Sequence, residues 1–105
     1  MENLLPMPKL TRSLQNMIVK WTKTALKNLE SIADHIGQDN YERAKIFVQE
    51  LREKTNSLKD FPNIGKAGRV FGTRELVLHK NYMVIYRVKD NSVQITRVHH
   101  CAMSI

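Results

Sequence analysis

The chain has 105 residues, which suits one small domain and leaves little room for two. Apolar residues make up 42%, enough for a packed core, which argues against a globally disordered chain. The formal charge of +7, from 17 basic and 10 acidic residues, favours an anionic partner: nucleic acid, an acidic protein or an anionic membrane surface. The alternative that composition leaves open is a basic domain that is simply soluble.

The opening residues, MENLLPMPKLTRSLQ, have scattered charges and prolines and lack the continuous apolar core of a signal peptide. Residues 1–16 show no clear period, so we interpret them as an extension, disordered or weakly helical, ahead of a domain at 17–105. No apolar run approaches the length of a membrane span. The lone Cys101 cannot form a disulfide within the chain, which fits a reducing compartment. We therefore expect a cytoplasmic protein with no membrane partner.

A short strand and a first helix are predicted next. The stretch MIVKW at 17–21 contains adjacent β-branched residues and predicts the strand. Thr22 is the predicted N-cap of the helix and Gly37 its predicted end. Between them the apolar side chains recur at helical spacing, namely Ala25, Leu26, Leu29, Ile32, Ala33 and Ile36.

A second helix is predicted to begin after Asp39 or Asn40 and to be stopped by Pro62. Its apolar stripe consists of Ala44, Phe47, Val48, Leu51, Thr55 and Leu58. Because the link between the two stripes is short, the sequence predicts an antiparallel helical hairpin.

The apolar period then changes from 3.6 to 2. Three strands are predicted, TRELVLHK at 73–80, YMVIYRV at 82–88 and SVQITRVHH at 92–100. Their connections are so short that the strands must form an antiparallel meander. The fold class is therefore α+β, a two-layer β-α-α-β-β-β domain. The hairpin covers one face of an antiparallel sheet, the strand at 17–21 pairs along an edge, and the other face is open and basic.

The stretch GKAGRVFGTREL at 65–76 packs three glycines and three basic residues into twelve positions. It is neither a Walker loop, because the G-K-[ST] ending is missing, nor a dinucleotide fingerprint. Glycine allows positive φ and close approach of a ligand to the backbone, here at Gly65, Gly68 and Gly72. The loop is either a flexible connection with solvated bases or the edge of a surface that holds an anion.

Candidate chemistry rests on arginine and histidine. Arg87 lies in the middle of a strand, where a charge makes sense if that face is open to an anion. By strand parity Arg97 and His99 share one face and His100 takes the other. No carboxylate or cysteine cluster completes a metal site, so we expect no metal and no cofactor. Chemistry on a nucleic acid would then use Arg and Lys for phosphate charge and His for proton transfer.

Three stretches in order, WTKTALKNLESIADHI, LKDFPNIGKAGRVFGTREL and NYMVIYRVKDNSVQITRVHH, resemble the RelE/ParE superfamily of bacterial toxins. The resemblance runs from Met17 to about Ala102. It implies the toxin half of a type II toxin–antitoxin module, with a small antitoxin that wraps and neutralises the toxin. DNA would be contacted only indirectly, through the antitoxin's DNA-binding part.

From this resemblance we expect growth arrest by metal-independent, ribosome-dependent mRNA cleavage, with inhibition of DNA gyrase as the alternative. RelE-like members cleave mRNA on the ribosome without a metal, whereas ParE-like members poison DNA gyrase. RNase members often end in an aromatic residue, and this chain ends HHCAMSI. A non-toxic, basic protein-binding domain is a further alternative.

If the chain is a metal-independent endoribonuclease, the expected catalytic residues are Arg74, Arg87 and His100, with His79 or His99 as less favoured proton-transfer groups. The residues expected to bind RNA or another target are Lys66, Arg69, Arg97 and His79.

Overall fold

Two helices pack on one face of a five-stranded sheet in the computed structural model, which describes residues 17–79 and 81–101. The elements in chain order are β1 (Ile18–Trp21), α1 (Lys23–Asp39), α2 (Tyr41–Asn56), a 3-10 turn (Ser57–Lys59), β2 (Lys66–Ala67), β3 (Arg74–His79), β4 (Tyr82–Lys89) and β5 (Ser92–His100). The predicted two-layer α+β class is confirmed. The extension predicted at 1–16 lies outside the described residues.

The strands lie in the order β1-β5-β4-β3-β2, and the predicted meander of β3, β4 and β5 is confirmed. β1 does pair along an edge, but it runs parallel to β5, so the sheet is mixed. A parallel pair needs a long crossover, which the helices and the other strands provide. The short β2 lies inside the glycine-rich stretch and pairs antiparallel with β3. The alternation of residues in the sequence did not predict β2.

One residue separates the two helices. The prediction that Gly37 ends α1 is wrong, because α1 continues to Asp39. Asn40 is extended there, and its N–H donates to the Ile36 carbonyl at 3.0 Å while its Oδ1 accepts from the Arg43 N–H at 3.1 Å. Asn40 thus caps the end of one helix and the start of the next, which forces the tight hairpin.

α2 ends at Asn56, well before Pro62, so the prediction that the proline stops it is also wrong. The Thr55 hydroxyl donates to the Leu51 carbonyl at 2.9 Å, and the Ser57 hydroxyl donates to the Lys54 carbonyl at 2.6 Å. Such bonds compete with the helical ladder and tighten the last turn. The chain then enters the 3-10 turn.

The core lies between the hairpin and the sheet. Its fully buried side chains include Leu51 of α2, Leu58 of the 3-10 turn, and Val84, Tyr86 and Ile95 of the sheet. The predicted N-cap of α1 is confirmed, since the Thr22 Oγ1 accepts from the Ala25 N–H at 3.1 Å. The helix is therefore fixed to the end of β1.

The pairing of β4 with β5 contains a bulge at Thr96. Ile95 pairs with Tyr86 and Arg97 pairs with Ile85, which leaves Thr96 as the extra residue. Its hydroxyl donates to the Ile85 carbonyl at 3.1 Å. The extra residue determines which faces the last residues of β5 occupy.

A hydrogen-bonded latch ties the loop before β2 to the centre of the sheet. The hydroxyl of the fully buried Tyr86 accepts from the Gly65 N–H at 2.9 Å and donates to the Pro62 carbonyl at 2.7 Å. A Cβ at Gly65 would lie 2.9 Å from the Tyr86 ring and from the Glu75 carbonyl, so only glycine fits. This glycine serves close packing within the chain.

Tyr86→Phe should lower the free energy of unfolding by about 1–3 kcal/mol, because it leaves a buried N–H and a carbonyl without their partner. Urea unfolding of the purified protein would measure the loss. Tyr41→Phe is the matched control, since Tyr41 is 69% exposed and should change the free energy by less than about 0.5 kcal/mol. Equal stability of the two variants would contradict the role of the latch.

Candidate functional site

The sheet face that the helices leave uncovered is rich in cations. Register and alternation put five of them there, and we call this surface the basic face: Lys20, Lys66, Arg87, Lys89 and Arg97. Glu75 is the carboxylate on the same face, between Lys66 of β2 and Ile85 of β4. Ile85 is in turn paired with Arg97, so one row crosses four strands. The predicted open, basic face corresponds to this surface.

Glu75 is unusual among the acids because it is only 7% exposed. Its Oε2 accepts from the Arg69 backbone N–H at 3.2 Å. A buried carboxylate needs donors and nearby positive charge, and the loop after β2 supplies both. Glu75 therefore connects the sheet to that loop.

His99 lies on the basic face opposite Met83 and close to Glu75. Burial lowers the pKa of His99 below its ordinary value of 6.5, Arg97 and Arg69 lower it further, and Glu75 opposes them. Its Nε2 is buried and has no hydrogen-bond partner among the described residues. The imidazole is therefore neutral at physiological pH, and Arg97, Arg69 and Glu75 are close enough to act on its charge.

Arg87 and Arg97 are both exposed on this face. The Arg87 Nε donates to Gln94 Oε1 on β5 at 2.8 Å, which orients its guanidinium along the sheet. The remaining N–H groups of each guanidinium are in position to bind an anion.

Arg74 lies on the other face, at the rim of the core, opposite Tyr86. Its Nη1 donates to the Gly65 carbonyl at 2.7 Å and to the Asn63 carbonyl at 3.3 Å. Arg74 therefore holds the same loop as the Tyr86 hydroxyl.

His100 also faces the helices. It pairs with Tyr82, and the two rings meet edge to face with centroids 5.0 Å apart. The three residues expected to be catalytic are thus divided between the faces, with Arg87 on one and Arg74 and His100 on the other. The backbone of His79 belongs to β3, and its side chain lies outside the described part of the structure.

The structure instead brings together His99, Glu75 and Arg97, of which sequence reasoning weighed His99 only as a minor candidate. Arg97 was expected only to bind the target, and Glu75 was not among the expected site residues. A signal was available: β5 places apolar residues at Val93, Ile95 and Val98, a spacing of two and then three, as a bulge would require.

The three glycines of the loop do not all act as expected. Gly72 has a positive φ of 88°, whereas Gly65 is required by packing against the chain itself.

Among the described residues no group of three or more His, Cys, Asp or Glu is placed to hold a metal ion. No helix in those same ranges is long and apolar enough to cross a membrane.

An open groove runs between β1 and the hairpin, at the sheet edge opposite β2. Its apolar part includes Val19, Trp21, Ala44 and Val48, and charged residues of α2 such as Arg52 border it. The chain thus carries two candidate binding surfaces, this groove and the basic face.

Comparison with known proteins identifies the family. The family described as the ParE toxin of the type II toxin–antitoxin system parDE matches residues 19–105. Toxin RelE2 of Caulobacter vibrioides is 36% identical over 84 residues, covering 80% of this chain and 94% of that protein. The putative toxin Y4kP of Sinorhizobium fredii is 34% identical over 83 residues, covering 78% and 85%.

Solved structures agree with this. A chain from the chromosomal ParDE toxin–antitoxin system of P. aeruginosa superposes with a TM-score of 0.74 at 30% identity, covering 82% of this chain and 97% of that one. The YoeB dimer structure from Staphylococcus aureus shares the fold, with a TM-score of 0.54 at 17% identity over 78% and 93%. The chain belongs to the ParE toxin family of type II toxin–antitoxin systems. It is the toxin of such a module, and an antitoxin is its partner.

The charges around His99 predict opposite shifts in two variants. Arg97→Gln should raise the pKa of His99, because it removes a nearby cation, and Glu75→Gln should lower it, because it removes the opposing carboxylate. NMR titration of the imidazole carbon-bound protons would measure both, with His99→Gln assigning the resonance. Shifts of the same sign would contradict the arrangement.

The lowered pKa of His99 also predicts how the stability of the fold depends on pH. The unfolded chain takes up a proton at His99 near pH 6.5, before the folded chain does, so folding loses stability as pH falls below 6.5. His99→Gln should make the free energy of unfolding decrease less steeply between pH 6.5 and pH 5 in urea titrations.

Proposed function

We propose that this toxin arrests growth by binding DNA gyrase through its basic face, without cleaving RNA. The observation that carries the proposal is the separation of the groups that cleavage was expected to use. Arg74 and His100 face the helices, and Arg74 holds loop carbonyls. Arg87 lies on the opposite face. One phosphate cannot contact all three.

The composition of the basic face supports a protein target. Exposed Val77 and partly exposed Ile85 lie among the cations, and no Phe, Tyr or Trp of the described strands is on that face. Strands that mix aliphatic side chains with arginine suit an acidic protein patch, whereas stacking of single-stranded RNA on the strands themselves would need aromatic side chains there. Membership of the ParE family supports the same choice, because the superfamily's ParE-like members poison gyrase.

The positive charge of the toxin would also attract its antitoxin. An antitoxin with an acidic segment would be drawn to a +7 toxin, and neutralisation would follow if that segment covered the cations that the target needs. We propose that antitoxin and gyrase exclude each other on this toxin.

The purified toxin should inhibit supercoiling by gyrase, and Arg97→Ala should weaken inhibition about tenfold or more, the effect of losing one contact worth about 1.4 kcal/mol. Arg87→Ala should act in the same direction. Lys27→Ala is the control, because Lys27 is an exposed cation on α1, away from the sheet. Arginine variants that inhibit as well as wild type would remove the basic face from the proposal.

A second candidate, ribosome-dependent mRNA cleavage, is favoured by one observation. His99, Glu75 and Arg97 are close together on the sheet face that the helices leave uncovered, and the buried His99 Nε2 has no hydrogen-bond partner among the described residues. Cleavage by these groups would use His99 for proton transfer and Arg97 for phosphate charge.

Primer extension on a translated message separates the two candidates. Under the gyrase proposal the message stays intact while supercoiling is inhibited. New 5′ ends that depend on ribosomes, and that fall about 10²–10⁴-fold in His99→Gln, would establish cleavage instead. The same variant should leave gyrase inhibition within about twofold of wild type if only the cations contribute there.

A further inference from the structure

Exposed apolar side chains are concentrated between residues 61 and 72. Ten large hydrophobic residues of the described chain are exposed, and four of them lie in this stretch: Phe61, Ile64, Val70 and Phe71. Phe71 is 101% exposed and Val70 is 67% exposed. A phenylalanine that contacts almost nothing of its own chain adds nothing to the core, which suggests a role in binding.

The tip that carries Val70 and Phe71 is held in one shape. The Thr73 N–H and hydroxyl both donate to the Val70 carbonyl, at 3.0 and 2.6 Å. The Gly68 N–H donates to the Thr73 carbonyl at 2.8 Å, and Gly72 has the positive φ of 88° that closes the turn. The exposed side chains therefore project from a hydrogen-bonded turn, so little conformational entropy is lost when they bind.

This tip is continuous with the basic face. Arg69 directly precedes Val70, its N–H is bonded to the buried Glu75, and its charge acts on His99. In the strand register, Lys66 of β2 lies opposite Glu75 of β3. Two exposed cations, Lys66 and Arg69, thus precede the two apolar residues in the chain, and Lys66 lies on the basic face.

We propose that Val70 and Phe71 form an anchor that inserts into an apolar pocket of the toxin's protein target, with Arg69 and Lys66 meeting acidic groups at the rim of that pocket. The proposal deepens the proposed function and rests on it in taking gyrase as the target. Central apolar anchors surrounded by charge are the usual source of binding energy in protein interfaces. An aliphatic side chain beside the ring favours a pocket over a nucleobase, because valine offers no planar surface for stacking.

The test uses the full-length toxin, induced in a host that lacks the antitoxin gene, together with purified toxin and purified gyrase. Phe71→Ala should weaken gyrase binding at least tenfold and reduce growth arrest, and Val70→Ala with Phe71→Ala should abolish the arrest. Ile46→Ala is the control, because Ile46 is 55% exposed on α2 and away from the tip. The urea midpoint should not change in any of these variants, since none removes a buried group.

A third substitution separates a pocket from stacking. Phe71→Leu keeps a large apolar side chain and loses the ring, so it should retain most of the activity if the side chain fills a pocket. If the Phe71→Leu variant is as inactive as Phe71→Ala while Phe71→Trp is fully active, the ring stacks on a nucleobase. That result would overturn the proposal. Full growth arrest by the double alanine variant would also overturn it.

Failure of the proposed function gives a different result. If the wild-type toxin arrests growth and leaves gyrase unaffected, gyrase is the wrong target. The anchor is then judged by growth arrest alone, where loss in Phe71→Ala and retention in Phe71→Leu would still support it, and equal arrest by all variants would refute it.

Discussion

The fully buried hydroxyl of Tyr86 is the interaction on which the site depends. A phenol at the centre of a sheet needs partners for its proton and its lone pairs, and both come from the backbone of the loop before β2, at Pro62 and Gly65. Arg74 fixes the same loop through two carbonyls. Burial raises the pKa of the Tyr86 hydroxyl, so it stays protonated at physiological pH and continues to donate. The loop consequently takes its position from the core, and it delivers Arg69 to the edge of the basic face.

The two faces of the sheet divide the basic residues into two kinds. Arg74 donates hydrogen bonds to backbone carbonyls of its own chain, whereas Arg87 and Arg97 are exposed on the basic face. A count of arginines in the sequence cannot make this distinction, since all three are strand residues of the same type. For a toxin, the division means that loss of toxicity in a variant has two possible origins, a displaced loop or a lost contact. Stability measurements tell the two apart.

Most of the fold could be predicted from the sequence, because period 3.6 and period 2 are local signals. These signals predicted both helices, the three strands of the meander and the N-cap at Thr22. They did not predict where the helices end, because single residues determine those ends. Gly37 is a poor guide to the end of α1 because Asn40 provides better caps for both helices. The parallel pairing of β1 and the short β2 depend on tertiary contacts, which no local pattern encodes. The cluster of His99, Glu75 and Arg97 was missed for the same reason, since the pairings of β3 with β4 and of β4 with β5 are both needed to assemble it.

The extra residue at Thr96 has a consequence for how relatives are compared. Without the bulge, and with the same number of residues, the strand would turn Arg97 and His99 toward the helices and present His100 in their place. A relative with one residue fewer at this point could keep the same face pattern in a regular strand. The faces that the last residues of β5 occupy therefore depend on whether the extra residue is present as well as on which side chains the strand carries. A site residue is transferable between two members only when their alignment also matches at this bulge.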